Sequence, residues 1–122
     1  MPIDHDLLVH VETSLARAQD GATVRRWAHP DAIFVVPGFV LGLDDYAGAL
    51  DVSEEWDRIE VEHDRTVRVG DDAVAVVSRF TGLRGDRVYR ADTVSTYVDT
   101  VEGPRLVTHQ HTPEWTPDDE PR

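Results

Sequence analysis

The hydrophobic pattern of this chain changes period once, and that change limits what it can fold into. At the start, Ile3, Leu7, Val11 and Leu15 recur every four residues with Leu8 beside them. This predicts one apolar stripe on a helix over about residues 3–19. From Glu55 onward the period is two. Ile59, Val61, His63, Val67 and Val69 fall on one strand face, and Arg58, Glu60, Glu62, Asp64 and Arg68 on the other. Helices first and long strands afterwards describe an α+β domain, with the helices on one face of a curved antiparallel sheet.

The connecting stretches sharpen that outline. Asp20-Gly21 breaks the first helix, and Asp20 caps a short second one carrying Val24, Trp27 and Ala28, closed by Pro30-Asp31. Ala32–Val36 is a short strand ended by Pro37-Gly38, and Phe39-Val40-Leu41 another. Gly42-Leu43-Asp44-Asp45 opens a third helix with Leu43, Tyr46, Ala47 and Leu50 inward; its early acids suit the helix dipole. Turns at Gly70-Asp71-Asp72, Gly82–Asp86 and Glu102-Gly103-Pro104 separate the strands Ala73–Thr81, Val88–Val98 and Arg105–Thr112. The domain spans residues 1–113; residues 114–122 read as a mobile acidic tail onto which only Trp115 offers a docking group. Strand Ala73–Thr81 is apolar on both faces, yet the helices cover one. A second copy of the chain is the simplest cover for the other, predicting a homodimer.

Composition excludes several function classes. The 122 residues support a single domain, and a 40% hydrophobic content argues against wholesale disorder. The net charge is −12, all twelve basic residues are Arg, and Asp outnumbers Glu sixteen to eight. Nucleic acid or an anionic membrane surface is therefore an unexpected partner, because both need a basic footprint. No apolar run approaches a membrane span and the N-terminus lacks a leader pattern, which predicts a cytoplasmic protein. Without cysteine there is no disulfide, thiolate zinc site or thiol nucleophile. Phosphate-loop, nucleophile-elbow and His-Glu-x-x-His patterns are missing, so no cofactor or metal is expected.

Four stretches carry a family resemblance: Asp31–Gly38, Leu41–Tyr46, Val69–Ala75 leading into Ser78-Arg79-Phe80-Thr81, and Gly103–Pro113. In this order and spacing, over about residues 3–113, they resemble the SnoaL-like members of the nuclear transport factor 2-like superfamily. They are also similar to the association domain of calcium/calmodulin-dependent protein kinase II and, more distantly, to ketosteroid isomerase. The resemblance implies a cone: a bent sheet around N-terminal helices, a pocket at the wide end, and dimerisation through the outer sheet face. The functions it implies are binding of a small organic molecule, anionic if Arg79 takes part, and cofactor-free isomerase, cyclase or dehydratase chemistry. The alternative is a non-catalytic oligomerisation or ligand-sensing module, because one fold carries many functions.

By the same resemblance, the inward residues are Val77, Arg79 and Thr81; Thr93, Ser95 and Tyr97; and Leu106, Thr108 and Gln110. Trp27, Phe34, Val36, Tyr46, Leu50 and Trp56 complete the wall. The expected ligand-binding set is therefore Trp27, Phe34, Tyr46, Trp56, Arg79, Ser95, Tyr97, Thr108 and Gln110. The aromatics among them equally suit a filled core. Arg79 would anchor an anionic group, or else pair with one of the many acids. No general base is fixed. Ketosteroid isomerase has an Asp where this chain has Val36, and its second acid falls near Thr93; neither residue here can shuttle a proton from a carboxyl. Asp92, His63, His109 and His111 remain as acid–base candidates. Both strand histidines are expected on the outer, subunit-facing side, because Thr108 and Gln110 take the inner one. An open cavity with a buried acid or histidine near Arg79 would favour an enzyme; one plugged by Trp27 and Tyr46 would favour a module.

Overall fold

A computed structural model describes residues 3–114. The order is α1 (His5–Ala16), α2 (Gly21–Trp27), β1 (Ala28–Val36), β2 (Phe39–Gly42), α3 (Leu43–Val52), β3 (Arg58–Val69), β4 (Ala73–Arg84), β5 (Arg87–Thr100) and β6 (Gly103–Pro113). The expected tail and Trp115 lie outside the described residues.

Local chemistry sets the helix ends. Asp4 caps α1 by accepting from the Leu7 amide at 3.0 Å, and Asp20 caps α2 by accepting from the Thr23 amide at 2.8 Å. Helix α2 stops at Trp27, before Pro30 is reached, and Pro30 instead lies inside β1, where the pairing with β6 is irregular between Ala28 and Ile33. Proline is tolerated at such an interruption because no ladder donor is needed from it. Helices α2 and α3 touch closely at Gly21, where a Cβ would lie 2.6 Å from the Ala47 carbonyl oxygen.

The six strands form one sheet in the order β2-β1-β6-β5-β4-β3. The sheet is mixed rather than wholly antiparallel, because β1 runs parallel to β6. The long hairpins β3–β4–β5–β6 supply the curved body, and the helices pack on its inner face. Leu8 and Val11 of α1, Val24 of α2, Phe34 of β1, Val74 and Val76 of β4, Tyr97 of β5 and Leu106 of β6 form the core. Burying each large apolar side chain contributes roughly 2 kcal/mol.

Two register shifts decide which side chains face the helices. In β6, Leu106 pairs with Tyr97 but Thr108 with Thr96, leaving Val107 as an extra residue. In β3, His63 pairs with Ser78 but Arg65 with Val77, leaving Asp64 extra. Each bulge inverts the alternation beyond it. Hence His109 and His111 share the inner face with Leu106, while Thr108 and Gln110 turn outward. In β3, Val67 and Val69 go outward and Arg68 inward, where its guanidinium donates to the Ile3 carbonyl at 2.8 Å.

Candidate functional site

Inner-face residues of β4, β5 and β6 meet in two rows at the open end of the sheet. Ser78, Thr93 and His111 lie side by side, as do Val76, Ser95 and His109. Opposite them stand Leu15 of α1 and Tyr46 and Leu50 of α3. Together with Val36, Trp56, Val61, Phe80 and Tyr89 they enclose a cavity of about 230 Å3. Its wall is chiefly apolar and aromatic, with a few polar atoms, as in small-molecule sites generally.

The aromatic wall is built by stacking. Tyr46 lies flat on buried Phe34 with ring centres 4.0 Å apart. Burial pushes the Tyr46 phenol up to about 12, so it stays a protonated donor. Trp56 stacks on Tyr89 at 5.8 Å, meets Phe80 edge-on, and carries the Arg84 guanidinium over its ring, 4.3 Å from the centroid. Gly82 makes room for the indole: a Cβ there would lie 2.6 Å from Trp56 Cδ2.

The polar side of the cavity is one hydrogen-bonded chain. Nε2 of His111 is 2.6 Å from Nε2 of His109, and Nδ1 of His109 is 2.7 Å from Ser95 Oγ. Ser95 Oγ donates to Glu12 Oε1 at 3.3 Å, and the Tyr97 hydroxyl donates to Glu12 Oε2. Burial raises the pKa of Glu12, against the hydrogen bonds of Tyr97 and Ser95. Burial, followed by the adjacent carboxylate, pushes the Tyr97 phenol well above its usual range. Burial likewise lowers His109 to about 3, with His111 adding to the shift, and lowers His111 to about 4. Both imidazoles are thus neutral at pH 7. Ser78 Oγ, in the same wall, is buried and makes no hydrogen bond, although it lies near enough to Glu12 to favour its ionised form.

Only part of the expected binding set lines this cavity. Tyr46 and Trp56 do. Phe34 lies behind Tyr46, and Ser95 and Tyr97 are fully buried behind the histidines. Trp27 packs elsewhere, edge-on to His10 and beneath Arg26 and Arg105 at the start of β6. Arg79, Thr108 and Gln110 are on the outer face. Arg79 is paired there with Asp92 at 3.4 Å, and both side chains are more than half exposed. The inward assignment of Arg79 and its neighbours Val77 and Thr81 is corrected by the register: Val74, Val76, Ser78 and Phe80 are the inward residues of β4. Strand β4 is apolar on both faces, so hydrophobicity alone does not choose its phase. The outward assignment of His109 and His111 is corrected by the Val107 bulge.

Other acid–base candidates fall away from the cavity. Asp92 is with Arg79, and His63 is exposed, with Nε2 3.0 Å from Thr66 Oγ1. Val36 and Thr93, which the resemblance sets at or near the carboxyl positions of ketosteroid isomerase, do line the cavity. Sequence reasoning missed Glu12. Its signal was position: it follows Leu8 by four residues and sits beside Val11 on the apolar stripe of α1.

No family model matches the chain, and no curated protein matches it. Solved structures do. A nuclear transport factor 2-like protein of unknown function in nutrient uptake from Rhodospirillum rubrum superposes with a TM-score of 0.77 at 15% identity, covering 92% of this chain and 99% of that one. A candidate ketosteroid isomerase from Parabacteroides distasonis gives 0.72 at 15%, covering 92% and 88%. A candidate calcium/calmodulin-dependent kinase II association domain from Exiguobacterium sibiricum gives 0.70 at 19%, covering 95% and 98%. At these identities the likeness establishes architecture: the chain has the nuclear transport factor 2-like, or cystatin-like, α+β fold.

Proposed function

We propose that the cavity binds a small, largely apolar organic molecule bearing a carbonyl or hydroxyl group, and that His111 exchanges a proton with it without a cofactor. The observation that carries this reading is the pair of neutral, hydrogen-bonded imidazoles in an apolar cavity. Nε2 of His111 is engaged by His109, so Nδ1 is the nitrogen left for a ligand. Ser78 Oγ supports the reading, because a buried hydroxyl without a partner costs about 1–3 kcal/mol that a ligand polar atom would recover. Tyr46 is a further donor, and a neutral phenol suits an oxygen on which charge develops. One structural neighbour is named as a candidate ketosteroid isomerase; here the proton acceptor would stand on β6 instead of at Val36. Arg79 has no part in this reading, so the ligand need not be anionic.

The test is exchange of α-protons. Small cyclic and aryl ketones are incubated with the protein in D2O, and deuterium incorporation is read by mass spectrometry. Incorporation above buffer that falls at least tenfold in His111→Ala supports the reading. No incorporation with any ketone, and no ligand-induced shift in melting temperature, would overturn it.

A second copy of the chain is the proposed partner for the outer sheet face. Ile33, Val67 and Val94 are each 42–49% exposed there. Ile33, Thr108, Thr96, Ala75 and Val67 form one cross-strand row, and Val35, Gln110, Val94 and Val77 the next. A face uncharged across β1, β6, β5 and β4, and bordered by Arg65 of β3, on an otherwise acidic molecule suits self-association. Light scattering after size exclusion should give twice the 13.7 kDa chain mass, and Val94→Arg should give the monomer. A monomeric wild type would remove this reading.

A further inference from the structure

We propose that Glu12 is the proton store of this site, reached from the cavity through His111, His109 and Ser95. The inference rests on the reading of the cavity as a proton-transfer site, and it deepens that reading. Its basis is connectivity. Heavy-atom separations of 2.6, 2.7 and 3.3 Å join the four side chains in series, from the cavity wall to a carboxylate that no ligand can touch. Each intermediate group both donates and accepts, which a relay requires.

The donors can be ordered from the carboxylate outward. With Glu12 ionised, Ser95 Oγ–H donates to Oε1, His109 Nδ1–H donates to Ser95 Oγ, and His111 Nε2–H donates to His109 Nε2. His111 Nδ1 then holds a lone pair. When a ligand C–H or O–H proton moves to that nitrogen, its bonding electrons stay on the ligand. The Nε2 proton of His111 passes to His109 Nε2, the Nδ1 proton of His109 to Ser95 Oγ, and the hydroxyl proton of Ser95 to Glu12. Four bonds to hydrogen break and four form. One proton has crossed to Glu12, both rings have changed tautomer, and nothing has been oxidised or reduced. The reverse sequence returns the proton to another atom of the ligand, as an isomerisation requires.

The surroundings favour this route over forming an imidazolium. Both rings are held neutral by burial, so a cation on either is costly there. The carboxylate is a stronger base than an exposed one, because burial raises its pKa. Glu12 is faced by Ser78 of β4 and by Ser95 and Tyr97 of β5; the imidazoles are faced by Tyr46 of α3 and Tyr89 of β5. No arginine and no carboxylate lines the cavity among the described residues. Tyr97 donates to the other oxygen of Glu12 and fixes its orientation.

The test needs no ligand, so it can fail separately from the ketone assay. The protein is labelled with 15N-histidine, and ring-nitrogen shifts are followed by NMR as pH falls. The expected result is one common step above the ordinary carboxyl pKa. In it His109 changes from Nδ1–H to Nε2–H and His111 from Nε2–H to Nδ1–H, with neither ring becoming cationic. Ser95→Ala leaves the Tyr97–Glu12 bond in place and should abolish the common step, as should Glu12→Gln. Unchanged tautomers through that range, independent midpoints for the two rings, or a common step that survives Ser95→Ala would overturn the proposal. If Glu12→Gln fails to fold, the wild-type titration and Ser95→Ala decide.

Discussion

The two faces of the sheet are made from the same four long strands, yet they differ in burial and in chemical character. On the inner face, cross-strand neighbours are Val74, Tyr97 and Leu106, then Val76, Ser95 and His109, then Ser78, Thr93 and His111. Ser95, Tyr97, His109 and His111 are buried or half-buried there and joined in one network with Glu12, and the pKa values of the tyrosine and both histidines are displaced. On the outer face, the neighbours of those rows are Ala75, Thr96 and Thr108, then Val77, Val94 and Gln110, then Arg79 and Asp92. The only ion pair of that face between β4 and β5, among the described residues, is the exposed Arg79–Asp92 contact. The proposed proton transfer belongs to the face from which water is excluded, and the proposed contact between copies to the other.

Acid should separate the faces most strongly. His109 and His111 have folded pKa values near 3 and 4 against an ordinary 6.5. Between those values the unfolded chain binds more protons, so stability falls as pH drops from 6.5 toward 4. The slope approaches about 1.4 kcal/mol per pH unit for each ring. Glu12 acts with the opposite sign, since its raised pKa favours the folded state as pH falls, and it offsets part of the loss. Urea unfolding at pH 7, 5.5 and 4 should show the decline, and the double variant His109→Ala, His111→Ala should flatten it. A stability independent of pH over this range would place the rings in water.

Truncation gives the next contrast. Tyr97→Ala empties a fully buried site and should cost about 3–5 kcal/mol, whereas Val94→Ala should change the stability of the isolated chain by no more than about 0.5 kcal/mol. Equal costs in denaturant titrations would erase the difference between the faces. Gly82→Ala is intermediate, at about 1–3 kcal/mol, because its methyl group collides with the Trp56 ring; a red-shifted tryptophan emission should accompany it. Arg79→Ala, like Val94→Ala, belongs at the small end. An exposed pair contributes about 0–1 kcal/mol, and ligand-induced melting shifts should match wild type. Lost binding in that variant would return the site to the outer face.

The fold was legible because it rests on period and punctuation. Ile3, Leu8 and Val11 announced α1, Asp20 its successor, and the glycine turns the hairpins. Ser95, Thr93 and Tyr97 were assigned inward and are inward, since β5 keeps its alternation where they lie. The site was less legible because faces are a matter of parity. One surplus residue, Val107, reverses Thr108, His109, Gln110 and His111 together, and nothing in the local sequence marks it as a bulge. The phase of β4 was hidden by valines and alanines on both faces. Glu12 was visible only as a charge on an apolar stripe, a mismatch between residue and environment of the kind expected at functional or strained positions.

The claim that the β6 histidines face the apolar cavity on the inner side of the sheet is the centre of this account. A pH titration of their imidazole resonances by NMR tests it most directly. Both rings should stay neutral through pH 5, with protonation near pH 4 for His111 and near 3 for His109. Midpoints near 6.5 for both would put them in solvent and contradict it.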